Sequence, residues 1–166
     1  MDILDNLSQL PEWDDNDFDN KGYESGEAWK NAALRTSAKA LYNQWREVMT
    51  GIYALLSYAE KNPDMPEGFF EDQKELMIGD AIQIAVKIKT SAEVDMYVLL
   101  MENAAVVRKN AIYIQTQLSS MVLMGSIEEE HADAVRLDIE KFRELFIEWI
   151  ATFKKDEYED EWNFFV

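Results

Sequence analysis

The segment Val135, Ile139, Phe142, Phe146, Trp149, Phe153 steps by four and three residues without interruption. That spacing keeps large apolar side chains on one stripe of an α-helix, where a partner helix has to cover them. The same rhythm runs through Leu34, Ala38, Leu41, Trp45, Val48, Ile52, Leu55 and Ala59, and again through Tyr97, Leu100, Ala104, Val107, Ala111, Ile114, Leu118 and Met121. A narrower, alanine-rich stripe reads Ile78, Ala81, Ala85, Ile88, Ala92. The fold class expected is all-α: an antiparallel four-helix bundle with up-down-up-down connections.

Boundary chemistry divides the chain into a 1–24 arm, a 25–156 bundle and a 157–166 tail. The first segment holds Pro11, Gly22 and eight acidic residues and has no sustained helical period. Ser25 can cap the first helix, and Asn62–Pro63 closes it, because proline disfavours helix in the residue before it. Asp64 with Glu67, Thr90 with Glu93, and Ser126 with Glu129 have capping-box spacing, and Pro66 suits a first turn. The phase of the stripes slips between Ala92 and Tyr97, which predicts a turn near Lys89–Ser91. One continuous helix is the alternative, since neither Gly nor Pro marks the spot. Lys87 and Lys89 suit a helix C-terminus there. Gly125 is expected to end the third helix, and Lys154 and Lys155 the fourth. Helices one, three and four should each be about 45–55 Å long at about 1.5 Å per residue, with the second shorter. Gly51 costs the first helix about 1 kcal/mol relative to alanine.

Charge limits what such a bundle can bind. The 166 residues carry 33 acidic and 16 basic side chains, a formal net charge of −17. This surface repels phosphate backbones and anionic headgroups, so direct binding to nucleic acid or to a membrane surface is not expected. No run of 18 apolar residues is present, so no span is expected. There is no cysteine, which removes disulfides, thiolate nucleophiles and cysteine metal sites. The opening MDILDNLSQLPEWDDND is acidic where a secretory leader would be basic and then apolar, which points to the cytoplasm.

Motifs for chemistry are sparse. The single histidine forms one Glu-x-x-His spacing, Glu128–His131, whereas a carboxylate-bridged di-metal bundle needs two. Asp80, Asp95 and Glu102 lie in apolar surroundings but off the inward stripes, so paired surface roles are expected of them rather than acid–base chemistry. Asn103, Arg108 and Asn110 interrupt the third helix. They suit an interior polar contact that fixes register, or, for Arg108, an ion pair with another helix. Met96, Met101, Met121 and Met124 are read as core filling before a binding groove. No glycine-rich phosphate loop and no nucleophile–histidine–carboxylate set is present. Neither a catalytic residue nor a cofactor is expected.

The aromatic residues outside the helices stand amid carboxylates: Trp13 and Phe18 near the start, Tyr158, Trp162, Phe164 and Phe165 near the end. Such segments dock onto a groove of their own domain or of a partner. Trp13, Phe18, Trp162, Phe164 and Phe165 are therefore the candidate partner-binding residues.

The stretches ENAAVVRKNA (102–111) and LDIEKFRELFIEWIATF (137–153), followed by Asp160–Glu161–Trp162, resemble uncharacterised bacterial helical-bundle proteins of about this length. The resemblance covers the last 65 residues or so and implies a helical fold, with no activity, cofactor or site attached.

The expected function is a non-enzymatic protein-interaction module, such as an adaptor, regulator or immunity-type binder. Its partner would have a basic or mixed surface, and a homodimer is also open. The alternative from another class is a ferritin-like carboxylate bundle for a metal or small ligand. Mimicry of nucleic-acid charge is a third reading.

Overall fold

The computed structural model describes residues 10–18 and 31–164. Four α-helices dominate: α1 (Ala32–Tyr58), α2 (Phe69–Ser91), α3 (Tyr97–Leu123) and α4 (Glu129–Ala151). A short 3-10 turn, Asp15–Phe18, precedes them, and no strand occurs among the described residues. The assembly is an all-α four-helix bundle. The Ser25 cap expected of α1 lies outside the described residues.

Each helix buries most of the stripe expected of it, with Ala59, Tyr97, Phe146 and Phe153 only half-buried. Leu34 through Leu55 on α1, Ile78 through Ala92 on and just beyond α2, and Leu100 through Met121 on α3 all meet in one core with Val135, Ile139, Phe142 and Trp149 of α4. A flank next to the stripe is buried as well: Tyr42, Met49 and Leu56 on α1, Met77 and Ile84 on α2. Every helix therefore touches two neighbours and needs a face wider than a coiled-coil seam. α1 packs most extensively on α4 and α2 on α3, while the α3–α4 seam is the sparsest.

Direction follows from polar contacts that pair residues in reverse order. Between α2 and α3, the Gln73 amide donates to Gln117 (2.7 Å), the Asn110 amide to Gln83 (2.6 Å), and the Asn103 amide to the Ser91 hydroxyl (3.0 Å). Between α1 and α4, the Gln44 amide donates to the Asp138 carbonyl, and a Cβ placed on Gly51 would lie 3.3 Å from Val135 Cγ2. Arg35 reaches the Ala92 carbonyl, the Trp45 indole N–H donates to the Ala81 carbonyl, and Arg136 reaches the Ser119 hydroxyl. The α2–α3, α1–α4 and α1–α2 contacts are those of adjacent antiparallel helices. Asn110 is 2 % exposed and is the interior polar contact that the sequence suggested for α3.

Helix ends depart from the sequence expectation. None of the three capping boxes forms. α2 starts at Phe69 with Gly68 at its N-cap in the left-handed region, φ 79°. The Thr90 hydroxyl turns back to the carbonyls of Val86 and Lys87. α4 starts at Glu129 with Glu128 at its N-cap and no side-chain cap. Spacing alone could not separate these motifs from ordinary surface Ser, Thr and Glu. The α2–α3 connection is a turn, as favoured, but it occupies 92–96 rather than Lys89–Ser91. The helices hold 27, 23, 27 and 23 residues, so α2 matches α4 and none reaches the expected length. α4 stops at Ala151, short of Lys154 and Lys155. Gly125 does end α3: at φ 71° it lets the Ser126 N–H reach the Met121 carbonyl and its own N–H reach Val122, a Schellman closure.

Candidate functional site

The two arms behave differently. Along α1, Trp13 stacks on Phe18 (4.9 Å between centroids) and meets Tyr42 edge-on at 5.5 Å. Phe18 is 5 % exposed, and the Arg35 guanidinium lies 5.6 Å from its ring. The Tyr42 hydroxyl donates to the Pro11 carbonyl (2.9 Å), and burial raises its pKa. Lys39 pairs with Asp15 at 2.6 Å, and Lys89 with Asp17 at 2.8 Å. Hydrogen bonding from Lys39 lowers the Asp15 pKa, and hydrogen bonding to Asp17 raises that of Lys89. The acidic-aromatic segment thus spreads over α1 and the end of α2, and Trp13 and Phe18 serve the chain's own surface.

The C-terminal tail is anchored at its root. Asp156 accepts the Tyr97 N–H (2.7 Å), supplying from a distant segment the N-terminal cap that α3 lacks. Asp160 then accepts the Phe164 N–H (3.0 Å) around a turn in which Asn163 has φ 52°. Beyond that root Tyr158, Trp162 and Phe164 face solvent, Trp162 at 89 % exposure. Phe165 lies outside the described residues.

A cleft of about 500 Å³ opens between α1 and α4. Its floor is small or apolar: Gly51, Ala54, Ala134 and Val135, with Leu55 beneath. Tyr58 and His131 stand at one end, where a second concavity of about 210 Å³ continues over Glu60, Ser126 and Glu128. The Ser126 residue is 3 % exposed, and its hydroxyl has no hydrogen-bond partner among the described residues. Another groove, of about 320 Å³, follows the sparse α3–α4 seam, where Ile112 and Ile147 are exposed beside Arg108 and Arg143.

No family model matches the chain, and no curated protein or solved structure matches it.

Other residues flagged by the sequence are placed as follows. His131 is exposed, and no group of three or more His, Asp or Glu side chains among the described residues could hold a metal ion. Asp80 is half-buried; Asp95 and Glu102 are exposed, and Asp95 accepts the Asn31 amide across the α1 start. Arg108 rims the α3–α4 groove, and no carboxylate of another helix is among the described ion pairs it makes. Met121 is fully buried in the core; Met96, Met101 and Met124 are half-buried outside it, so core filling describes Met121 alone. Among the described residues no helix is long and apolar enough to cross a membrane. The sequence reading missed the α1–α4 cleft. Its residues were in view, since Gly51, Ala54 and Ala134 are small positions beside the stripes, but only their convergence across two helices makes a concavity. Ser126 passed for a cap because its spacing to Glu129 matched one.

Proposed function

We propose that the chain is a non-enzymatic protein-interaction module that presents its C-terminal acidic-aromatic tail to a partner with a basic or mixed surface. The observation that carries this reading is Trp162, an indole 89 % exposed beside Glu157, Glu159, Asp160 and Glu161. A large aromatic side chain left in water is the residue type that dominates binding energy when a partner covers it. The surrounding carboxylates steer basic surfaces and repel phosphate-bearing ones. The anchored root at Asp156 limits the ordering entropy lost on binding. A cysteine-free chain suits a reducing, cytoplasmic setting. A bacterial source rests on the resemblance of the last 65 residues or so.

The test is affinity capture from the cells the chain comes from, at low salt, with wild type and a Trp162→Ala/Phe164→Ala variant. Wild type should retain one stoichiometric partner, and the variant should lose it with an unchanged melting temperature. Retention should fall between about 0.05 and 0.5 M salt. A partner held equally by both proteins, or no partner, would reject the reading.

A small-ligand bundle is the second reading, favoured by the α1–α4 cleft. A homodimer, if formed, would use the α3–α4 groove. α3 carries one acidic residue, Glu102, in 27, so it is the helix on which two copies repel least.

A further inference from the structure

The α1–α4 cleft has two chemically distinct ends. Along Gly51, Ala54, Ala134 and Val135 it is a largely apolar trough, with Asp138 also in its lining, its carboxylate paired with Lys141 at 2.9 Å. At the other end Glu60 and Glu128 stand over Ser126, with His131 at the junction. Buried hydroxyls nearly always have a partner, so the unpartnered Ser126 hydroxyl at this position is one that a bound polar group would satisfy.

The sign of that polar group follows from magnitudes. α4 begins here without a side-chain cap, and a helix N-terminus is equivalent to about half a positive charge, which favours an anion. Against it stand the carboxylates of the two glutamates that line this end, Glu60 and Glu128, each a full negative charge. Two unit charges outweigh half a charge, so the end selects a cation. Tyr58, 84 % exposed at the lip, adds an aromatic face that attracts cations.

We propose that this cleft binds a small organic cation with an apolar body, an aryl- or alkylamine. Its apolar part lies on Gly51, Ala54, Ala134 and Val135, and its ammonium group sits at Glu60, Glu128 and the Ser126 hydroxyl. The volume suits a body of one ring, and concave apolar walls with a few convergent polar groups are the usual form of a small-molecule site. The site is separate from the C-terminal tail, so it stands or falls independently of the interaction role.

The full-length protein is titrated with 2-phenylethylamine in about 0.15 M salt, which screens the general attraction of an acidic surface. Binding is followed by NMR on the Ala54, Ala134 and His131 resonances. Neutral 2-phenylethanol and anionic 3-phenylpropionate serve as comparisons. The amine should give saturable shifts with a Kd below about 1 mM. The alcohol should bind at least about tenfold more weakly, and the anion should give no shift. Ala134→Trp fills the trough from α4 and Ala54→Trp fills it from α1. Both positions are exposed, so at least one variant should keep the wild-type melting temperature and lose the amine. Glu60→Gln/Glu128→Gln should bring the amine down to the level of the alcohol. The Trp162→Ala/Phe164→Ala variant should bind the amine as wild type does. Equal affinity for amine and alcohol, shifts that never saturate, or binding that survives both tryptophan variants would overturn the proposal.

Discussion

Two glycines in this chain make opposite demands on a side chain. Gly79 lies inside α2, exposed, with nothing within 4 Å of a Cβ built on it. Its only effect is to widen the unfolded ensemble, so Gly79→Ala should stabilise the protein by about 0.5–1 kcal/mol. Gly125 also has room for a Cβ, but its φ of 71° closes α3. An L side chain there costs about 1–2 kcal/mol, so Gly125→Ala should destabilise by about that amount. Urea melts of the two variants should move in opposite directions; a shared sign would mean that space, not backbone conformation, governs both sites. The glycines also show where the sequence was legible. Gly125 was readable because a helix stop needs a positive φ and a phase change follows it. Gly51 was read as a soft spot only. Its closeness to Val135 depends on where α4 lies, which local sequence does not encode.

Among the elements, the N-terminal segment is held by contacts that depend on charge. Trp13 and Phe18 supply apolar cover over Tyr42, while Lys39–Asp15 and Lys89–Asp17 pin the 3-10 turn between them. The Asp15 pKa is lowered, so its contribution is present above the ordinary carboxylate pKa of about 3.9 and fades as pH falls through the depressed value. The Lys89 pKa is raised, so its contribution is complete below the ordinary lysine pKa of about 10.4 and fades as pH rises through the elevated value. Docking should therefore be firmest between about pH 4 and pH 10. The fluorescence difference between wild type and Trp13→Phe isolates Trp13, and its maximum should move to the red at either extreme. An emission maximum constant from pH 3 to 11 would show that the aromatic contacts alone hold the segment. The helices themselves were legible at this scale because burial on one face leaves a periodic record. Their ends were not. Asp156, which caps α3, stands 59 residues after Tyr97, and Glu60 and Asn62 tie the end of α1 to Ser126 and Met124 through contacts that no local motif announces. Of the three capping boxes the sequence offered, only the one before α3 gave way to a long-range partner; α2 and α4 start without a side-chain cap.

For the whole molecule, the formal charge of −17 decides how stability responds to salt. The fold gathers the acidic side chains of the described residues onto one small surface, and unfolding relieves their repulsion by spreading them apart. Salt also weakens attractive pairs, so the two effects compete. The pairs include Lys141–Asp138 and Arg143–Glu140 within α4 and Arg136 shared between Glu129 and Asp133. They lie at the surface, where such pairs are worth about 0–1 kcal/mol each. Repulsion involves many more charges and acts over a screening length that falls from about 30 Å at 0.01 M to about 8 Å at 0.15 M. Repulsion should therefore dominate, and sodium chloride added over that range should raise the melting temperature by several degrees. The gain should level off above about 0.15 M, where charges more than a few residues apart no longer sense each other. A melting temperature that falls with salt would mean that the surface pairs outweigh the repulsion. The same imbalance governs binding. A chain that strains against its own charge gains when a cation, whether a basic protein at the tail or an amine in the α1–α4 cleft, settles among the carboxylates. Either ligand should therefore stabilise the fold most at low ionic strength, and its effect on the melting temperature should shrink as salt takes over the screening.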